Sequence, residues 1–183
     1  MQDTALRKLD VVRDFVNTLD LEENKDEIAT PAQLGAWLGG RGLTSEGSIT
    51  AEEHRLAVET RETIRRLLLA NNGGEAAPAD LAELDRLADR AVLAPRFHAG
   101  GVRLEPATGG AVGALGLLLA TVAEAMAEGT WMRLKACSEH SCMWAFYDRS
   151  KNRSGHWCSM RVCGNRAKAR QFRERRRAEG SAG

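Results

Sequence analysis

No stretch of this chain reads as a membrane span. The longest apolar run, 111–127, is broken by Gly113, Gly116 and Glu124 and stops short of the ~18 residues a bilayer demands. Met1–Asp20 is charged throughout and lacks the apolar centre of a secretory signal. The expected location is therefore cytoplasmic, where thiols stay reduced, and disulfides are not expected. Internal repeats and low-complexity linkers are missing. So is a catalytic constellation: His54 and His98 stand alone, and no C-x-x-C pair or histidine-supported nucleophile is present. The chain is not expected to be an enzyme. Cysteine itself is absent outside one segment, since all four fall between Cys137 and Cys163.

That segment has the spacing C-x4-C, fifteen residues, then C-x4-C. Thiolates are zinc ligands, and a structural zinc ion takes four donors in a tetrahedron. Two close pairs separated by a hairpin's length supply them, so one zinc per chain is expected on Cys137, Cys142, Cys158 and Cys163. His140, inside the first loop, is a further candidate donor that four thiols leave unused. Trp144–Asp148 reads as a strand, 149–155 as a polar turn and His156–Cys158 as the returning strand, with Cys163 opening the last helix. Knuckle, hairpin and helix around one ion make a treble-clef-like module. So short a module has little core, and metal binding would supply much of its folding free energy.

Charge divides the chain in the same way. Residues 1–130 carry 13 Lys+Arg against 21 Asp+Glu, a net −8, whereas 131–183 carry 13 against 4, a net +9. An acidic body with a basic end points to nucleic-acid binding. In the last helix, to about Ala178 with Asn165 as its cap, Arg166, Arg170, Arg173 and Arg177 fall on one face. Val162, Ala169 and Phe172 are assigned to the face toward the finger. Arg166 and Arg170 are the candidates to read base edges; Lys168, with Lys151 and Arg153 in the turn, is assigned to phosphates.

The remainder reads as mostly helical. Helices are expected over 4–21 (capped by Asp3 or Thr4), from Pro31 to Leu38, from the capping box Thr50–Glu53 to Asn71, over 78–93, and over 108–128 as the central helix. Leu81, Val92 and Met126 are placed inward. A β-hairpin turns at Gly100–Gly101. The fold class is thus a mostly α domain with a small β-hairpin (1–130), a treble-clef-like zinc finger with its basic helix (131–178), and a tail (179–183). The close join places the finger against the body. Asp14 and Asn17 are candidate ligand residues, since an amide inside the apolar stretch Phe15–Val16–Asn17 needs partners.

Three further runs, Asp148–Asn152, Trp157–Met160 and Cys163-Gly164-Asn165-Arg166 with Lys168, resemble the CGNR zinc finger. His156 departs from that pattern, where a basic residue is usual. Phe15–Asp20 and Pro31–Leu38 resemble the ABATE domain that precedes this finger in a family regarded as stress-induced transcription regulators. The resemblance implies DNA rather than RNA as partner, and a body that senses a small-molecule effector or forms a homodimer. The alternative function is an adaptor whose basic finger binds RNA or an acidic protein.

Overall fold

The computed structural model describes residues 8–44 and 48–180; the expected cap at Asp3 or Thr4 lies outside them, as does 181–183 of the expected tail 179–183, whose first two residues belong to the last helix. Helix α1 (Asp10–Val16) ends earlier than its apolar periodicity suggests. The Thr18 hydroxyl donates to the Phe15 carbonyl (2.8 Å), and the Thr18 carbonyl accepts from the Glu27 amide (2.8 Å). The chain therefore turns out of the helix into a two-residue strand, β1 (Leu19–Asp20), antiparallel to β2 (Lys25–Asp26). Leu19, expected in the helix, is in that strand.

Helix α2 (Pro31–Gly39) starts as the sequence predicts, with Thr30 accepting from the Gln33 amide and Pro31 in the first turn. The capping box at Thr50 is fully formed and opens the 20-residue α3 (Ala51–Ala70). Helix α4 (Pro78–Ala91) ends on Val92 in the left-handed region (φ 50°). The predicted hairpin follows as β3 (Leu93–His98) and β4 (Gly101–Pro106). Helix α5 (Gly110–Ala127) packs against α1, α2, α3, α4 and β4, which makes it the central helix. By length and composition it could cross a bilayer, but more than half of it is buried inside the domain. Close approach explains its Gly116: a Cβ there would lie 2.7 Å from the Ala91 Cβ and 3.0 Å from that of Pro106.

Three residues assigned to the core are exposed instead: Leu81, Val92 and Met126. The hairpin leans on α4 and α5 without closing over them. Leu81 and Met126 consequently rim an apolar groove of about 340 Å³ with Leu84, Leu104, Leu119 and Val122. Val92 is turned outward by its left-handed backbone.

The finger continues directly from the body. A 3-10 turn (Trp131–Arg133) leads into β5 (Leu134–Ala136), which pairs antiparallel with β6 (Ala145–Tyr147). The partner of the predicted strand thus lies upstream, and His156–Cys158 is not a strand. One edge of β6 is taken by β5. The Ala145 peptide is paired with the Asn17 side chain, its N–H donating to Oδ1 (2.7 Å) and its carbonyl accepting from Nδ2 (3.0 Å). The returning segment instead touches the first knuckle, where the Ser138 amide donates to the His156 carbonyl (2.8 Å).

More side chains of the body pair with backbone of the finger. Arg65 of α3, fully buried, donates to the Met143 carbonyl (3.0 Å) and to the Val16 carbonyl (2.6 Å). Asn71 donates to the Trp131 and Leu134 carbonyls, and Asn72 to that of Ala136. Asn17→Ala leaves two buried peptide groups of Ala145 unpaired and is expected to lower stability by about 2 kcal/mol, read from urea unfolding of the zinc-loaded protein. A change below a few tenths would mean that water replaces the amide.

Candidate metal centre and nucleic-acid interface

The knuckle between Cys137 and Cys142 is a tight turn held by its own backbone. The Cys142 and Met143 amides both donate to the Glu139 carbonyl (2.8 and 3.0 Å), and the Cys137 amide donates to the Trp144 carbonyl (2.9 Å). Met143 adopts φ 49°, which returns the chain toward β6. On the other side, Ser159 follows Cys158 and caps a one-turn π-helix (Met160–Gly164) by accepting from the Val162 amide (3.3 Å). That turn carries Cys163 back to the cluster and runs into α6 (Asn165–Gly180). Asn165 is itself helical and donates to the Arg161 carbonyl (3.0 Å), so Ser159 takes the capping role expected of Asn165.

The four sulfurs lie within 4.8 Å of one another, with Cys142–Cys158 at 3.6 Å and Cys158–Cys163 at 3.8 Å. The edge of a tetrahedron with ~2.3 Å zinc–sulfur bonds is about 3.8 Å, so the donor set fits a zinc ion. His140 is exposed and stands outside the cluster. Electrostatics give the same answer. The Cys142 thiol donates to Cys137 and, against the effect of burial, lowers the Cys137 pKa to about 5. That hydrogen bond and burial push Cys142 up, and burial first of all pushes Cys163 up to about 12. Sulfurs this close oppose one another's ionisation, and a divalent cation lets all four be thiolates. Trp144, Phe146 and Trp157 pack around them, which makes these aromatics wall rather than free stacking surface.

The turn after β6 is built around a buried ammonium. Lys135 is 2 % exposed, and its Nζ donates to Asp148 (2.9 Å) and to the Arg153 and Gly155 carbonyls (2.5 and 3.0 Å). Asp148 also accepts from the Ser150 and Gly155 amides (2.9 and 2.8 Å). A Cβ on Gly155 would come within 2.9 Å of that carboxylate. Burial would raise the Asp148 pKa, but the bonds from Ser150, Lys135 and Gly155 together hold it well below the usual carboxylate range. Arg149, Lys151 and Arg153 are exposed on this turn, with Arg153 at φ 53°.

On α6, Arg166, Lys168, Arg173 and Arg177 are exposed and Arg170 is half-buried. Arg170 Nη1 lies 3.0 Å from both oxygens of Glu139, a carboxylate buried in the knuckle. Arg166 pairs with Glu22 of the β1–β2 turn. The apolar phase of the helix differs from the expected one. Cys163, Gly164 and Ala167 face the finger, whereas Val162, Ala169 and Phe172 are exposed, because the buried side is set by Cys163. Asp14 pairs with Arg13 (2.8 Å), and both polar ends of Asn17 are engaged by Ala145. Sequence reasoning passed over Lys135, Arg61 and Arg65; for Lys135 the available signal was a cation set between the apolar Leu134 and Ala136.

These features define a zinc-finger protein: a helical body to which one four-thiolate module is clamped. Residues 133–176 match the CGNR zinc finger, and residues 9–129 match ABATE, described as a putative stress-induced transcription regulator. The second match spans well over half of the chain, which belongs to the ABATE family and carries one zinc ion in its finger. No curated protein matches the chain.

Elemental analysis of reduced protein is expected to give one zinc per chain, and Cys163→Ser to lose it, with amide exchange across 137–163 rising sharply. A metal-free wild type, or a zinc-replete Cys163→Ser chain, contradicts the assignment. Asp148 has a depressed folded pKa, so its stabilisation is complete above the unfolded value of about 4 and fades as pH falls toward the folded one. Asp148→Asn is expected to lose about 3 kcal/mol at neutral pH, with the gap to wild type closing below about pH 4 in urea unfolding. A gap that stays constant down to acid pH would exclude the ion pair as its cause.

Proposed function

We propose that this chain is a zinc-dependent DNA-binding transcription regulator. The observation that supports it is the placement of the basic helix: Arg166 sits three residues after the zinc ligand Cys163, in the first turn of α6. Metal-bound backbone there holds an arginine fork in a defined direction, which base reading needs. Arg173 and Arg177 continue the face, and Lys168, Lys151 and Arg153 are assigned to phosphates. The proposal gives the chain no catalytic role and places its work in the cytoplasm as part of a stress response.

Two roles fall to the N-terminal domain. One is pairing two chains, since one short helix offers a small contact area and two-fold symmetry doubles it. The other is sensing an effector. Asp14 and Asn17 are already engaged within the chain, so the apolar groove beside Leu81 and Met126 offers a small apolar molecule more than they do. A second reading, an adaptor for an acidic protein, is favoured by the carboxylates that Arg166 and Arg170 already hold.

Selection from random duplexes should return a preferred site. Arg166→Ala or Arg170→Ala is expected to cost about 1–3 kcal/mol on that site and to flatten the preference. Arg176, exposed near the far end of α6 and away from the metal-held turn, is assigned to non-specific phosphate contact, so Arg176→Ala should weaken all duplexes alike and reduce the salt slope by about 0.9. Fluorescence anisotropy across a salt series separates the two; equal losses on preferred and scrambled DNA would reduce the helix to an electrostatic clamp, and tighter binding to an acidic peptide than to any duplex would favour the adaptor.

A further inference from the structure

We propose that Glu22 acts as a built-in competitor for nucleic acid at Arg166, so that the β1–β2 turn of the body holds the DNA-reading arginine until a phosphate or base displaces the carboxylate. The inference rests on the DNA-binding reading of α6.

Both ends of the pair are fixed before they meet. The turn that carries Glu22 is tied at its base by Asp20, whose carboxylate accepts from the Glu22 and Glu23 amides (2.8 and 3.0 Å). Its second strand is anchored by Asp26, which takes two hydrogen bonds (2.7 and 3.0 Å) from Arg61, a side chain buried in α3. Arg166 is fixed from the other side by the turn that carries Cys163. Surface ion pairs are weak because two long side chains must be immobilised together; the two anchored backbones set the distance between these side chains but leave the pair weak enough to exchange. The pair nevertheless remains half exposed on the arginine side, so a polyanion can reach it.

The geometry also says how the contact opens. Asn17, Arg65, Asn71 and Asn72 bind the finger's backbone to the body. Swinging the finger away would break all of these, whereas rotating the Glu22 side chain breaks one exposed pair. Release is therefore a side-chain exchange, carboxylate for a base edge or phosphate, with the two domains staying docked. Arg170 differs: its partner Glu139 belongs to the same knuckle and is buried, so that contact orients the guanidinium within the finger rather than linking it to the body.

The test is fluorescence anisotropy of the zinc-loaded full chain with a labelled duplex of about twenty base pairs at low salt. Glu22→Gln is expected to tighten binding about fivefold. Glu27→Gln removes the same charge from the segment just after β2, where Glu27 faces Lys25, and should change affinity less than about twofold. In an Arg166→Ala background, Glu22→Gln should gain nothing. Equal gains from the two glutamate variants, or a Glu22→Gln gain that survives Arg166→Ala, would overturn the proposal in favour of general repulsion. If the wild type binds no duplex, the DNA reading fails, and inorganic polyphosphate becomes the probe. The same three-variant pattern on polyphosphate would keep the competitor role at Arg166, and its absence would remove that role as well.

Discussion

A peptide group shut away from water must find a hydrogen-bond partner, and the junction between the two parts of this chain follows from that demand. The finger has two three-residue strands and almost no apolar interior apart from the sulfur cluster and its aromatic wall. It cannot satisfy its own backbone edges. The helical body does so with amides and a guanidinium: Asn17 for Ala145, Arg65 for Met143, Asn71 for Trp131 and Leu134, and Asn72 for Ala136. Their cost of burial is largely offset because their N–H groups find carbonyls at bonding distance, and Asn17 Oδ1 an N–H as well, whereas the Asn72 Oδ1 is buried without a partner. Helix α3 and its C-terminal turn supply three of these four side chains, which explains the two asparagines set directly after the apolar end Leu67–Ala70.

Inside the finger the same logic is repeated with ions. Four thiols packed this closely cannot all ionise on their own, and zinc resolves the conflict. Lys135 and Asp148 do for the turn 149–155 what the metal does for the knuckle, gathering carbonyls and amides around a buried charge. One cluster defines the start of α6 and the other the shape of the basic turn.

Much of this was legible in the residues. The cysteine spacing, the capping box at Thr50, the Thr30–Pro31 start, the hairpin at Gly100–Gly101 and the central apolar helix could each be read locally, since each depends on neighbours in sequence. What could not be read depends on partners far along the chain. The strand partner of β6 is upstream, on β5, and the peptide of its first residue, Ala145, is taken by a side chain 128 positions away. Asn17 drew attention as an amide in an apolar stretch, and the demand for partners was sound, but periodicity holds no information on whether they belong to a ligand or to the finger. Leu81 and Met126 fit the inward pattern of their helices and are exposed because the hairpin covers less than the helices offer. The phase of α6 was misjudged because it is set by where the sulfur cluster holds Cys163, not by the helix's own few apolar residues.

The clamp at the junction ties metal affinity to residues that never touch the metal. Free energy gained when the finger docks is available only to a finger that is folded, and the finger folds around its ion. By linkage, whatever strengthens docking tightens zinc, and zinc in turn stiffens the end of α3. A chelator titration of this protein therefore weighs the helical domain along with the thiols, and a substitution at Asn71 or Arg65 would register as a weaker metal site.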